Sequence, residues 1–562
     1  MDHSQLSPAE PHGWRIRADE TLRRRYVAAG IWRNRTVADA ALALADAEPE
    51  RITHVADDRP HRVADLVGQA RALAAGLSAR GLRAGDVVSF QLPNWPEAIA
   101  VDLACAMLGL VVNPIVPIYR DAEVAFSLAD CRARAIFVPE AFRGFDHLAM
   151  MRRLAPQLPD LRLIASVRAA APDGDSFEAL TGGDAKPATL PRVDPDTVKM
   201  IMYTSGTTGR PKGVLHSHNT LPRAIEASVR HWGLGDGATF LMASPVTHVT
   251  GYSCGIEMPF LCGTRTVLMD RWDAAQAVGI IDREGVNATV GATPFLAELV
   301  AQAERLRSRL PSLQVFACGG AAVPPELIRK ANTVLEHCRA FRVYGSSEAP
   351  FVTLGFLRPE QATLAAETDG EIIDFEVRIV DDEGREVAPG GEGEICARGP
   401  ALFLGYADTA QTEESFDTDG WFHTGDMGRV TPERAVVVTG RKKDLINRGG
   451  EKVSAKEIED LLHTHPAVRE AAVVSMPHAR LGETVCAYVI PASGASLSLA
   501  DLTKTIESAG VARQKLPERL VTVEDFPRTP SGKIRKDLLR ADIRERLAQA
   551  REDGTPGTTD GG

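Results

Sequence analysis

Residues 203–213 read Tyr-Thr-Ser-Gly-Thr-Thr-Gly-Arg-Pro-Lys-Gly and directly follow the apolar run at 198–202. Gly206, Gly209 and Gly213 let the backbone turn tightly and aim N–H groups inward. Thr204, Ser205, Thr207 and Thr208 add hydroxyl donors and Lys212 adds a mobile cation, with no carboxylate among them. Such a set suits a polyphosphate, which is held by many donors and a positive charge. A flexible Ser/Gly linker would account for the glycines, but not for Lys212 or for the position after a strand-like run. The spacing is not that of a P-loop, in which lysine follows glycine directly. Here Arg210 and Pro211 intervene, and the proline bars a helix from continuing through that point. The kinase pattern G-x-G-x-x-G fails too.

Four further clusters lie downstream. They are Tyr344-Gly345-Ser346-Ser347-Glu348, the heptad Gly-Trp-Phe-His-Thr-Gly-Asp ending at Asp426, Gly440-Arg441-Lys442-Lys443-Asp444 with Gly449-Gly450, and Pro530-Ser531-Gly532-Lys533. Taken in order with the first loop, they resemble the signatures of the adenylate-forming superfamily: acyl-CoA synthetases, aryl-acid adenylating enzymes, peptide-synthetase adenylation domains and luciferases. The resemblance covers roughly residues 25–545.

The resemblance implies an ATP-dependent acid activation with a role for each residue. Thr204, Ser205, Gly206, Thr207, Thr208 and Lys212 would hold the phosphates. Glu348 offers a hard oxygen ligand for Mg²⁺, with Thr208 as a further candidate ligand. Gly319, Gly320 and Ala321 resemble the segment whose backbone lies along adenine, where small residues permit close approach. Tyr344 would stack on the base, with Gly345 and Ser347 beside it. Asp426 can accept from two ribose hydroxyls, because a carboxylate is a pure acceptor with two oxygens; Arg441 would complete that contact. Lys533 would bridge the substrate carboxylate and the α-phosphate, and Asp444 matches the family's hinge. Gly449 and Gly450 would face the site in the second half-reaction, in which the thiol of coenzyme A attacks.

The acyl pocket would involve residues 244–251, 290–293 and 345–347, with His248 resembling the family's gate ahead of the acid. No Asp, Glu, Lys or Arg falls in these stretches, which favours an uncharged aliphatic or alicyclic acid over a dicarboxylate or an amino acid. The pattern most resembles medium-chain and cyclohexanecarboxylate-type CoA ligases. Residues 447–453 and 474–477 look instead like aryl-acid enzymes that load a carrier protein, so free coenzyme A and a carrier's phosphopantetheine arm both stay open as acceptors. A non-catalytic nucleotide or acyl sensor is disfavoured, because Lys212, Glu348, Asp426, Arg441 and Lys533 are all present.

Positioning these residues requires alternating strands and helices. Leu66, Ala70, Leu73 and Leu77 share one helical face, and a second helix is expected from Pro96 to Leu110. Short apolar runs at 87–92, 135–138, 198–203, 266–269, 288–291, 313–318 and 340–344 read as strands of largely parallel sheets. After about residue 370 the pattern becomes one of antiparallel hairpins, and a fresh pattern begins near 441. The expected fold is α/β: a large N-terminal domain of α/β layered subdomains plus a β-rich subdomain (1–440), then a small mobile α+β C-terminal domain (441–547) and a disordered tail (548–562). Across 562 residues, 64 basic and 75 acidic side chains give a net charge of −11, with no electrostatic footprint for nucleic acid. No secretory leader and no run of transmembrane length stand out, and the eight cysteines form no C-x-x-C pair. Those features suggest a cytoplasmic enzyme; they say nothing of oligomeric state.

Overall fold

In a computed structural model the described residues are 12–17, 19–170, 175–182, 190–204, 211–320, 323–449, 451–509, 511–529 and 533–552. They divide into two compact units. The first comprises residues 1–377, 397–423 and 433–435, and the second 378–396, 424–432 and 436–562.

The first unit is built on two seven-stranded sheets. One runs, in spatial order, Arg339–Val343, Val315–Gly319, Ala288–Gly291, Thr239–Met242, Arg265–Leu268, Ile52–Ala56 and Arg59–Arg62. Its strands pair in parallel except for the edge hairpin of Ile52–Ala56 with Arg59–Arg62. The other runs Gly405–Tyr406, Lys212–Ser217, Val198–Thr204, Val111–Pro114, Val87–Phe90, Ala135–Pro139 and Leu163–Val167. Here Val198–Thr204 pairs in parallel with Val111–Pro114, whereas Lys212–Ser217 is antiparallel to both of its neighbours.

Near-continuous apolar runs form these parallel strands because both faces are covered. One core cluster joins residues of both sheets to the helices Val63–Ala79 and Pro96–Leu108. Leu66, Ala70, Leu73 and Leu77 all point into it. Every residue of Pro96–Leu108 except Glu97 is buried, as expected of a helix apolar on all sides. That helix stops at Leu108, two residues before the expected end, because Gly109 takes the left-handed conformation at φ 68° and closes it.

The second unit contains most of a four-stranded sheet in the order Glu376–Val380, Gly393–Arg398, Phe422–Val430 and Val436–Arg441, and a five-stranded sheet downstream. The expected boundary at 440 does not describe this division. Most of the four-stranded sheet groups with the chain after 436, since Phe422–Val430 and Val436–Arg441 form one antiparallel ladder. In the five-stranded sheet, Val468–His478 sends Ala471 and Val473 to one apolar cluster and Ala472, Val474 and Met476 to another, the period-two signature of a strand covered on both faces. The helix Lys536–Glu552 runs past 547, so the tail expected from 548 begins inside a helix; Leu547 to Glu552 are good helix formers, and Arg546 pairs with Asp542 one turn back. Among the described residues no helix is long and apolar enough to cross a membrane. All eight cysteines are free and all but Cys262 are buried.

Candidate active site

In open α/β sheets, ligand sites lie beyond the carboxyl ends of the parallel strands. Four neighbouring strands of the first sheet deliver the expected segments there. Thr239–Met242 leads to His248, Ala288–Gly291 to Thr293, Val315–Gly319 to Gly320, and Arg339–Val343 to Tyr344. Gly319 pairs directly with Val343 in the parallel ladder, which sets the glycine segment beside the start of the Tyr344–Glu348 loop. A Cβ on Gly319 would stand 2.6 Å from the Val343 carbonyl oxygen, so the approach of the two strand ends requires glycine. Ala321 lies outside the described residues.

The loop at 344–349 folds upon itself. Ser346 N–H donates to the Ala349 carbonyl at 3.1 Å, and Ala349 N–H donates to Ser346 Oγ at 3.2 Å. Thr353 Oγ1 accepts from Tyr344 N–H at 2.7 Å. At Gly345 a Cβ would meet the Phe351 nitrogen at 2.6 Å, which excludes any larger residue without a backbone shift.

Two side chains tie this loop to the strand that follows the phosphate loop, Lys212–Ser217, and to its edge neighbour, Gly405–Tyr406. His216 is fully buried, with Nε2 2.7 Å from the Ser347 carbonyl and Nδ1 3.0 Å from Thr220 Oγ1. A carbonyl only accepts, so Nε2 carries the proton and Nδ1 accepts from the threonine. Burial pushes the imidazole down to about 4, which keeps it neutral. The second tie is Tyr406, whose hydroxyl donates to Glu348 Oε1 at 2.9 Å. Burial first, and then the Glu348 carboxylate, push that phenol well above its ordinary range, so it stays a donor.

Lys212 opens Lys212–Ser217 directly opposite Thr204, the last residue of the preceding strand. Residues 205–210, and with them Ser205, Gly206, Thr207 and Thr208, lie outside the described residues. Lys212 Nζ sits 4.6 Å from the centre of the Tyr406 ring, a cation–π distance. Among the described residues no cluster of three His, Cys, Asp or Glu could hold a metal by itself. Glu348, with one oxygen accepting from Tyr406, fits Mg²⁺, which is usually held by one or two carboxylates plus substrate phosphates and water.

His248 starts the helical turn Val249–Tyr252 after a tight bend, with its N–H on the Pro245 carbonyl at 2.9 Å. Gly251 is forced by that bend, since a Cβ would lie 2.0 Å from the Pro245 oxygen. Asn94 braces it: its amide donates to the Ser244 and Met269 carbonyls at 3.0 and 2.9 Å and accepts from Val246 N–H at 2.8 Å. Asn94 and Tyr406 escape the sequence reading. A turn-like Asn-Trp-Pro and a Gly-Tyr pair carry no sign of partners 150 and 58 positions away.

The second unit holds the remaining residues. Asp426 and Arg441 are cross-strand neighbours, and Arg441 Nε lies 3.2 Å from Asp426 Oδ1. Asp444 ends a short 3₁₀ turn and pairs with Arg540 of the helix Lys536–Glu552. Gly449 adopts φ 63°, and Gly450 lies outside the described residues. Lys533 is half-buried and makes reciprocal bonds with Thr529: Lys533 N–H to Thr529 Oγ1 at 3.1 Å, and Thr529 N–H to the Lys533 carbonyl at 2.7 Å.

The sequence matches the AMP-binding enzyme family over residues 43–407 and the AMP-binding enzyme C-terminal domain over 457–533. It is similar to the medium-chain fatty-acid–CoA ligase of Escherichia coli K12, with 35% identity over 94% of each chain. It is also similar to the 2,3-dihydroxybenzoate–AMP ligase of Bacillus subtilis 168, with 33% identity over 95% of this chain and 98% of that one. Among solved structures, ATP-bound MatB from Rhodopseudomonas palustris superposes with a TM-score of 0.81 at 26% identity, covering 91% of this chain and 99% of that one.

Proposed function

The chain belongs to the AMP-binding enzyme family and is an AMP-forming acid–thiol ligase, and from that premise we propose that it activates a medium-chain or alicyclic carboxylic acid and transfers the acyl group to coenzyme A. The observation that carries this reading is the convergence, at the carboxyl ends of four adjacent parallel strands, of the glycine segment, the Tyr344–Glu348 loop and the uncharged stretches around His248 and Gly291.

In the first step a carboxylate oxygen of the acid attacks the α-phosphorus of ATP, an acyl–phosphate anhydride bond forms, and pyrophosphate leaves. The acid is already ionised near neutral pH, so no side-chain base is needed. The hydroxyls and N–H groups at 204–208 and the Lys212 ammonium hold the leaving pyrophosphate. Glu348, and in this reading Thr208, would hold Mg²⁺, which when bound offsets charge on the departing phosphates. Gly319, Gly320 and Ala321 line adenine, Tyr344 stacks on it, and Gly345 and Ser347 shape the adjoining wall. Asp426 accepts from the ribose hydroxyls while Arg441 holds its other side. Lys533 places a cation between two anions that must meet, lowering the barrier by orientation and charge stabilisation. In the second step the thiol of coenzyme A gives up its proton to solvent, its sulfur bonds to the acyl carbon, and the acyl C–O bond breaks as AMP leaves with that electron pair. Asp444 serves as the hinge between the two steps, with the C-terminal part of the chain beyond it moving and Gly449-Gly450 facing the thiol.

The acid is assigned from the acyl segments, in which no charged side chain stands at 244–251, 290–293 or 345–347. The enzyme is proposed to work in the cytoplasm, in fatty-acid metabolism. A second reading, in which the acceptor is a carrier protein's phosphopantetheine thiol, draws on the likeness to the 2,3-dihydroxybenzoate–AMP ligase. The experiment is an incubation with ATP, Mg²⁺ and a panel of straight-chain, alicyclic, aromatic and dicarboxylic acids, with and without coenzyme A. Acyl-CoA from medium-chain or alicyclic acids supports the assignment. Pyrophosphate release without any thioester favours the carrier, and a preference for dicarboxylates overturns the pocket argument.

A further inference from the structure

We propose that Tyr406 is a positioning residue that keeps Lys212 and Glu348 apart and aims each at its own part of the Mg²⁺–triphosphate group. The inference rests on the roles given above to those two residues. Tyr406 is 4% exposed and sits on the short strand Gly405–Tyr406, with Tyr406 opposite Val214 of Lys212–Ser217. Its ring packs on Phe403 with centroids 4.9 Å apart, and Phe403 N–H is bonded to the Glu348 carbonyl at 2.8 Å.

One side chain therefore touches both charged groups. Its ring face meets the Lys212 ammonium at 4.6 Å, and its hydroxyl meets Glu348 Oε1 at 2.9 Å. A lysine and a glutamate flanking the same ring would ordinarily gain by pairing directly, and such a pair would neutralise both before any ligand arrived. Among the described residues no ion pair joins Lys212 to Glu348. The tyrosine instead contacts each of them separately, the ammonium through its ring and the carboxylate through its hydroxyl. It gives the ammonium a favourable face without taking its charge, and the hydroxyl takes one carboxylate oxygen while leaving the other for a cation.

Two substitutions separate spacing from packing. Tyr406→Phe keeps the ring and removes the hydroxyl, whereas Tyr406→Leu removes both. ATP binding is measured by calorimetry across a series of MgCl₂ concentrations, alongside acid-dependent pyrophosphate exchange and the thermal midpoint. For Tyr406→Phe, the half-saturating Mg²⁺ concentration is expected to rise about tenfold, the scale of one lost hydrogen bond to a charged group. ATP affinity at saturating Mg²⁺ should stay near that of the unaltered protein. Tyr406→Leu is expected to weaken ATP binding even at saturating Mg²⁺. In a Glu348→Gln background, Tyr406→Phe should produce no further change in Mg²⁺ dependence. A folded Tyr406→Phe protein with an unaltered Mg²⁺ titration overturns the proposal. So does an equal effect in both backgrounds, which marks a purely structural role. If the Leu variant does not fold, the Phe variant, which lacks a single oxygen, decides alone. Failure of the unaltered protein to bind ATP with Mg²⁺ overturns the underlying roles of Lys212 and Glu348, a result distinct from an insensitive Tyr406→Phe.

Discussion

Lys533 illustrates how little a single residue declares about itself. A lysine in a Pro-Ser-Gly-Lys turn is by type a solvated surface charge, yet here it is half-buried, with its backbone fixed at both N–H and C=O by Thr529. Fixing the backbone limits the arc its ammonium can sweep, which suits the role proposed for it between two anions. Lys533→Ala is expected to slow acyl-adenylate formation about 10²–10³-fold, the scale measured for removal of one preorganised donor. Thioester formation from chemically supplied acyl-adenylate should be much less affected. Parallel assays of the two half-reactions check this, and equal losses in both would remove Lys533 from the adenylation step. The glycine-rich loop, Glu348, Asp426 and Lys533 could be singled out in the sequence as candidates because hydroxyls, glycines and charges at short spacing are a local pattern; residues 205–210 lie outside the described residues, and the roles of the others are those of the proposed function. Asn94 and Tyr406 were not, because their roles come from partners that only the strand order brings near.

At the scale of elements, the informative features are the ends of strands and the turn at 442–444. The strand runs were readable from apolar composition, and so was the helical face of Leu66, Ala70, Leu73 and Leu77. The sheet order was not. Nothing in the local pattern says that Gly405–Tyr406 adds to the edge of Lys212–Ser217, or that Arg339–Val343 lies beside Val315–Gly319. Nor does local pattern reveal that Asp444 is ion-paired to Arg540, 96 residues later. With Asp444 as the proposed hinge, that pair would hold one arrangement of the turn. Asp444→Pro fixes φ near −65° and is expected to spare adenylate formation while slowing thioester formation at least about tenfold, as blocking a hinge should. Stopped assays of each half-reaction test this, and an equal loss in both removes Asp444 from the hinge role.

For the whole molecule, the first unit buries histidines that must stay neutral. Burial lowers His54 to about 3 and His216 to about 4, against about 6.5 in an unfolded chain. Below pH 6.5 the unfolded chain therefore binds protons that the folded chain refuses, and stability falls as pH falls, down to the folded values. Their contribution is fully present above about pH 6.5 and is lost between there and about 4 for His216 and about 3 for His54. The denaturation midpoint is expected to drop from pH 7 to pH 5, and to drop less steeply in His54→Gln, which cannot take up that proton. An unchanged slope in the variant would contradict the assignment. The reaction as a whole is tested most directly by exchange of labelled pyrophosphate into ATP, with Mg²⁺ present and coenzyme A absent. Acid activation through an adenylate predicts exchange that requires a medium-chain or alicyclic carboxylic acid and is lost in Lys533→Ala; exchange that is absent with every acid, or that proceeds equally without one, would contradict it.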